Sequence, residues 1–214
     1  PTAVFSLEMS REQLALRMLC GEAHVDSQKT RTGDLSNDDL DKLAWAVDVL
    51  EKAPLYVDDS PTVTVMEMLA KARRLKQERG LGLVIIDYLQ LMTGKERREN
   101  RQQEISGMTR SLKIMAKEIG VPVMVLSQLS RASEKRDDKK PLLSDLRESG
   151  SIEQDADVVM FIHRESYYNP EADAVSQIIV AKQRSGPTGV INLGWKGSET
   201  QFRELDSHSD ADAI

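Results

Sequence analysis

The sequence predicts an α/β protein: a mostly parallel sheet flanked by helices, with an antiparallel β-hairpin near its C-terminal end. Three observations carry this. Leu83-Val84-Ile85-Ile86, Val121 to Leu126 and Val158 to Ile162 are apolar at every position, the pattern of strands covered on both faces. Helical spacing lies between the first two, with Ile105, Met108, Leu112, Met115 and Ile119 at steps of three and four, and Gly120 closing the helix. Strand, helix, strand in repetition makes a parallel sheet with right-handed crossovers. The last quarter differs: Ile178 to Val180, a turn at Ser185-Gly186-Pro187-Thr188-Gly189, and Val190, Ile191, Leu193 and Trp195 read as a hairpin on the edge of that sheet.

The remaining elements follow in chain order. Ala3 to Phe5 reads as a strand, and Ser10 with Gln13 as a helix start whose apolar face is Leu14, Met18 and Leu19. Ser36 and Asp39 cap a helix from Asn37 to Glu51, with Leu40, Leu43, Ala44, Val47 and Leu50 in register. Leu55 to Val57 is a short strand closed by Asp58, Asp59, Ser60 and Pro61. Thr64 and Glu67 form a third capping pair, before Met68, Leu69, Ala72 and Leu75. The Arg73, Arg74, Lys76 and Arg79 end of that helix suits its negative dipole end. Arg131 to Lys140 and the acidic stretch from Asp206 to Ala213 are polar enough to be mobile. The organisation expected is one domain over 1–205 and a disordered acidic tail over 206–214.

Composition excludes several classes. The 214 residues carry a net charge of -6, are 40% hydrophobic and 30% charged, and include one cysteine and three histidines. A lone Cys20 forms no intramolecular disulfide, and a zinc ribbon lacks ligands. No apolar run approaches the ~18 residues of a membrane helix. Absence of a membrane segment and of a recognisable signal peptide points to a cytoplasmic location. Overall acidity argues against indiscriminate polyanion binding, although Lys95 to Lys113 and Arg131 to Arg147 each hold a local basic surplus.

Candidate chemistry sits at strand ends. Asp87 closes four apolar residues, at the carboxyl end of its strand, where open parallel sheets bind ligands. A hydrophobic strand ending in Asp has the form of a Walker B element, whose carboxylate holds Mg²⁺ directly or through water. An Asp taking local backbone hydrogen bonds fits the same pattern. Glu8 and Gln128 lie beyond two other strands, so three polar groups converge on one crevice. The P-loop signature G-x-x-x-x-G-K-S/T, whose amides and lysine cradle phosphates, does not occur in these residues. Either the chemistry is not that of a P-loop enzyme, or the loop precedes Pro1.

Six segments decide between these: FSLEM at Phe5 to Met9, RTGDLS at Arg31 to Ser36, GLVIIDYLQLM at Gly82 to Met92, VPVMVLSQLSR at Val121 to Arg131, SDLRESGSIEQDADVVMFIHR at Ser144 to Arg164, and AKQRSGPTG at Ala181 to Gly189. Together, in this order and across essentially the whole chain, they resemble the C-terminal RecA-like motor domain of the bacterial replicative DnaB-type hexameric helicases.

The resemblance implies ATP and Mg²⁺ as cofactors, a homohexameric ring, movement along single-stranded DNA with unwinding of duplex DNA, and primase and a helicase loader as partners. It implies that Glu8 is the carboxylate polarising the attacking water, Asp87 the Walker B aspartate, and Gln128 the residue sensing the γ-phosphate. Lys182 and Arg184 would serve the neighbouring subunit's nucleotide, Arg184 as an arginine finger. Arg147, Glu148 and Gly150 match the family's DNA-gripping loop, and Arg97, Arg98 and Arg101 fall near its other central loop, where a solvated helix start is an equal reading. With only 4% aromatic residues, DNA contact is expected through phosphates rather than base stacking. His163 departs from the family, which commonly has an aromatic there. Cys20, Trp45 and Trp195 are read as packing residues. A degenerate RecA-like interaction module has no need for Glu8, Asp87, Gln128, Lys182 and Arg184 together; a recombinase-type ATPase is the other alternative. Without a P-loop, these residues alone are expected not to hydrolyse ATP.

Overall fold

Four strands pair in parallel through backbone hydrogen bonds in the computed structural model, which describes residues 1–92, 101–146, 150–169 and 171–205. They are β1 (Thr2–Ser6), β2 (Leu55–Asp58), β3 (Leu83–Asp87) and β4 (Val123–Val125), in the order β2-β1-β3-β4. The helices are α1 (Arg11–Ala23), α2 (Ser27–Thr32), α3 (Asn37–Glu51), α4 (Val65–Arg79), α5 (Arg101–Ile119) and α6 (Gly150–Asp155). The chain divides into two compact units, one of Pro1–Leu14 with Lys52–Ala156, the other of Ala15–Glu51 with the chain from Asp157 onward.

In the first unit one sheet face is the core. Ala3, Phe5, Val84 and Ile86 meet Met68, Leu69 and Ala72 of α4 and Ile105, Met108, Leu112 and Met115 of α5. Each large buried side chain among them contributes about 1.5–3 kcal/mol relative to exposure. The opposite face is less covered within the chain: Leu83 and Ile85 are half-buried, Met124 and Leu126 exposed. The apolar runs over Leu83 to Ile86 and Val121 to Leu126 therefore form the expected strands, but burial alternates along β3 rather than covering both faces. Helices α4 and α5 end together, Arg73 pairing with Glu118 and the Lys76 ammonium donating to the Ile119 carbonyl.

The three expected helix starts are present. Thr64 and Glu67 form a reciprocal capping box. The Gln13 N–H donates to Ser10 Oγ at 3.3 Å, and the Asp39 N–H to Ser36 Oγ at 3.1 Å. The stretch Arg131 to Lys140, expected to be mobile, is instead tied down. Arg136 makes two 2.7 Å bonds to the Asp145 carboxylate and one of 2.7 Å to the Lys140 carbonyl, and the Leu142 N–H donates to Asp145 at 2.8 Å. Asp145 is 2% exposed. Composition misled because a single guanidinium fork closing on a buried carboxylate offsets the ordering of a short polar loop.

Arg136 holds the Asp145 carboxyl below the usual carboxylate range. A carboxyl depressed on folding contributes stability above its unfolded pKa and loses it as pH falls through the folded value. Asp145→Asn should cost about 2 kcal/mol at neutral pH, and the gap from the parent should close as pH falls below the ordinary carboxylate range. Urea unfolding of both proteins across that acid range checks this; a gap unchanged by pH would contradict it.

The second unit contains an antiparallel sheet, β5 (Val158–Arg164), β6 (Val175–Gln183), β7 (Gly189–Lys196) and β8 (Gln201–Arg203) in sequential order. Here two expectations are corrected. Val158 to Ile162 does not join the parallel sheet; β5 pairs antiparallel with β6, so the β6–β7 hairpin extends β5. The link between β5 and β6 is too short for the crossover that a parallel neighbour requires. Burial also alternates along β5: Val159, Phe161 and His163 are inside, whereas Val158, Met160 and Ile162 are exposed.

In the same unit, α3 buries Asp39 and Ala46 with Leu43 partly covered, whereas Leu40 and Val47 of the expected face are exposed. Asp39 turns the helix. It accepts from the Ser36 N–H at 3.0 Å and from Lys29 Nζ at 3.0 Å, and is held down to about 2 by those bonds. Trp45, read as packing, is 57% exposed, while Trp195 packs against Phe202 and beneath the Arg164 guanidinium. Cys20 is buried, and His163 is buried with Nε2 3.1 Å from Glu165 Oε2.

Candidate functional site

Parallel pairing brings the carboxyl ends of β1, β3 and β4 to one edge. Ser6 stands opposite Asp87 in register, and the Leu7 N–H donates to the Asp87 carbonyl at 2.7 Å, so the pairing continues one residue past β1. Glu8 follows on an exposed turn. Ser6 shapes that turn: its hydroxyl donates to the Met9 carbonyl at 2.7 Å and accepts from the Met9 N–H at 3.3 Å. On the other side, the Leu126 N–H donates to the Ile86 carbonyl and the Leu89 N–H to the Leu126 carbonyl, both at 2.9 Å. Gln128 lies two residues beyond this zipper. Glu8, Asp87 and Gln128, singled out from sequence at three strand ends, thus lie along one edge of the first unit, at its β1, β3 and β4 positions.

A cleft of about 370 Å³ opens beside Gln128, lined by Gln90, Ile105, Gln128, Arg131, Asp145 and Ile152 among others. The β2 end adds Asp58, whose carboxylate accepts from Lys71 and from the Ser60 N–H. Burial works to raise the Asp58 carboxyl, and the Lys71 and Ser60 bonds outweigh it, leaving a net lowering. No group of three or more His, Cys, Asp or Glu suited to a metal occurs among the described residues. A single strand-end carboxylate such as Asp87 fits Mg²⁺ shared with phosphate oxygens and water, and does not fit an all-protein cage.

Lys182 and Arg184 belong to the second unit. Lys182 is the penultimate residue of β6 and pairs with Val159 in register. Arg184 follows the strand, its N–H donating to the Asp157 carbonyl at 2.9 Å and its Nε 3.4 Å from Asp157 Oδ1, with both side chains about half exposed. Arg101 opens α5 and is bonded to Glu104 and to the Gln90 carbonyl, and Gly150 opens α6. Arg97, Arg98, Arg147, Glu148 and the tail over 206–214 lie outside the described residues. Sequence reading passed over Gln90 and Asp58. Asp58 was legible only as a turn residue, and Gln90 stands within the Gly82 to Met92 segment with no spacing to mark it.

The parallel sheet backed by α4 and α5, followed by an antiparallel sheet, is the architecture of a RecA-like core, as two solved structures that superimpose on it bear out. The DnaB-like helicase C-terminal domain family matches residues 1–204, and the chain belongs to it. The chain is 51% identical over 211 residues to the replicative DNA helicase DnaB of Geobacillus stearothermophilus, covering 97% of this chain and 46% of that protein. It is 50% identical to the replicative DNA helicase DnaC of Bacillus subtilis (strain 168), with the same coverage. It therefore spans about half the length of the curated relatives it matches. Among solved structures, one described as an ATPase domain superimposes with a TM-score of 0.92 at 36% identity, over 96% of this chain and 74% of that one. A DnaB-like replicative helicase, described with its interactions with primase, gives 0.92 at 36% identity, over 96% and 52%. No helix among the described residues is long and apolar enough to cross a membrane.

Proposed function

We propose that this chain is the motor portion of a replicative helicase, which couples ATP hydrolysis to movement along single-stranded DNA and unwinding of duplex DNA as part of a homohexameric ring. The alignment of Glu8, Asp87 and Gln128 on one sheet edge, in a chain of this family, is the observation that carries the reading. Mg²⁺ bound with ATP would supply charge neutralisation on the phosphates. Asp87 holds the ion, directly or through water. Glu8 orients and polarises the attacking water. Gln128 donates its neutral amide to a phosphate oxygen, a role that needs a donor without a proton to lose. Lys182 and Arg184 reach the nucleotide of the adjoining subunit.

DNA contact falls to Arg147, Glu148 and Gly150, with Arg97, Arg98 and Arg101 contributing from the other central loop. Arg147 binds a backbone phosphate, and Glu148 orients a neighbouring base. Primase and a helicase loader are partners of the assembled ring, which works in the cytoplasm.

The test compares the full-length protein with the isolated 214 residues. Full-length protein should show Mg²⁺-dependent phosphate release stimulated by single-stranded DNA. The isolated residues, which hold no G-x-x-x-x-G-K-S/T segment, should release none above background, since phosphate charge lacks its cradle. Turnover by the isolated residues that disappears on Glu8→Ala would overturn the second expectation; full-length protein inert with ATP and DNA would overturn the reading itself.

A further inference from the structure

We infer that Gln90 is a positioning residue: its side-chain amide clamps the backbone of Gln128 while its own carbonyl engages Arg101, joining the phosphate-sensing strand end to the start of α5. The inference rests on the function proposed above and adds a residue to that site.

Gln90 occupies the 3-10 turn Leu89–Leu91 directly after β3. The turn is anchored on both sides of it, Leu89 being 1% and Met92 2% exposed. From this fixed backbone the Gln90 carboxamide reaches across to the β4 end. Nε2 donates to Ser127 Oγ at 3.0 Å and to the Gln128 carbonyl at 3.2 Å, and Oε1 accepts from the Gln128 N–H at 3.2 Å. A side-chain amide that donates to and accepts from one residue's backbone imitates a strand neighbour, extending the sheet one step beyond the β3–β4 pairing. It satisfies both backbone groups of Gln128. The Gln128 side-chain amide makes no hydrogen bond among the described residues, so it is left to meet a ligand.

The other end of the link is the Gln90 carbonyl, which accepts from Arg101. Arg101 begins α5 and is also paired with Glu104. Gln90 and Gln128 both line the cleft beside the edge. A displacement of Gln128 by a phosphate is therefore passed through a two-point amide clamp and a rigid turn to the N-terminal turn of α5. The clamp demands the length of glutamine and both polarities: Asn is one methylene short, Glu keeps the acceptor and loses the donors, and Leu keeps bulk and loses both.

Two measurements in the full-length protein test this. In nucleotide-free protein, backbone amide exchange over residues 127–129 should be about tenfold faster in Gln90→Leu than in the parent, as expected for loss of one such bond; unchanged exchange would overturn the clamp. With single-stranded DNA present, kcat for ATP should fall about tenfold or more in Gln90→Leu and Gln90→Asn, and less in Gln90→Glu, while KM for ATP stays within about twofold. Combining Gln90→Leu with Gln128→Ala should be no worse than Gln128→Ala alone, because the clamp acts only through Gln128. Losses that multiply, or kcat within about twofold of the parent in Gln90→Leu, would refute the positioning role. A parent without DNA-stimulated turnover would instead refute the proposed function, and with it the role of the clamp in catalysis.

Discussion

Replacing Arg184 by alanine in the full-length ring is expected to lower ATP turnover by about 10³-fold or more, as loss of an arginine finger does, with nucleotide affinity and ring formation largely retained. Its only charged contact among the described residues is the Asp157 pair, half exposed at both partners, and pairs of that kind contribute about 0–1 kcal/mol. A large kinetic loss beside a small change in stability therefore reports on chemistry and not on folding. Mixing Arg184→Ala subunits with Glu8→Ala subunits identifies which subunit supplies the guanidinium. Acting across an interface, the mixture contains some sites with intact Glu8 and intact Arg184, and turnover rises above that of either inactive parent. Acting within its own subunit, Arg184 never meets an intact Glu8 site, and no recovery occurs. Subunit exchange is verified separately by pairing differently labelled rings. A turnover loss of only a few-fold in the uniform Arg184→Ala ring would refute the finger.

Glu8→Gln should lower DNA-stimulated turnover by about 10²- to 10⁴-fold, the range for loss of a positioned general base. The substitution keeps shape and removes the charge proposed above to polarise water. Glu8 is exposed, and its carboxylate makes no hydrogen bond or ion pair among the described residues, so thermal stability should shift by no more than about 0.5 kcal/mol. ATP and single-stranded DNA should still bind. Equilibrium binding beside single-turnover hydrolysis separates these effects; lost binding would mean that Glu8 holds the ligand instead of the water.

Local chemistry was the legible part of this sequence. Three capping pairs were readable because a cap is a contact between residues three apart, complete within the segment that encodes it. The edge bearing Glu8, Asp87 and Gln128 was readable because parallel strands place all their carboxyl ends together. What failed depends on distant partners. An apolar run such as Val158 to Ile162 is the same string whether a strand has one covered face or two and whether its neighbour runs parallel or antiparallel, and only the folded chain decides both. The six-residue α2 has no periodicity long enough to detect; it is held by Asp26, whose carboxylate accepts from the Gln28 N–H at 2.7 Å, and by Gly33 at φ 78°. The inward face of α3 turned because Asp39, polar by type, found Ser36 and Lys29. Gln90 and Arg136 escaped notice for the same reason: each acts on residues that only the folded chain brings within reach.

The shared ending of α4 and α5 has an electrostatic consequence. Both helices run in the same sense on one face of the sheet, so their peptide dipoles lie side by side with like ends adjacent, an arrangement that repels. The negative ends collect near Ile119, and there the Lys76 ammonium caps the last carbonyl of its neighbour, next to Gly120 at φ 58°. Lys76 acts there beside Arg79 and Lys117 in the two last turns, while the positive ends carry Glu67 and Glu104 in their first turns, at the opposite edge shared by Glu8, Asp87 and Gln128. Acetylation of Lys76 would remove its charge and weaken the far side of the sheet without touching Glu8, Asp87 or Gln128.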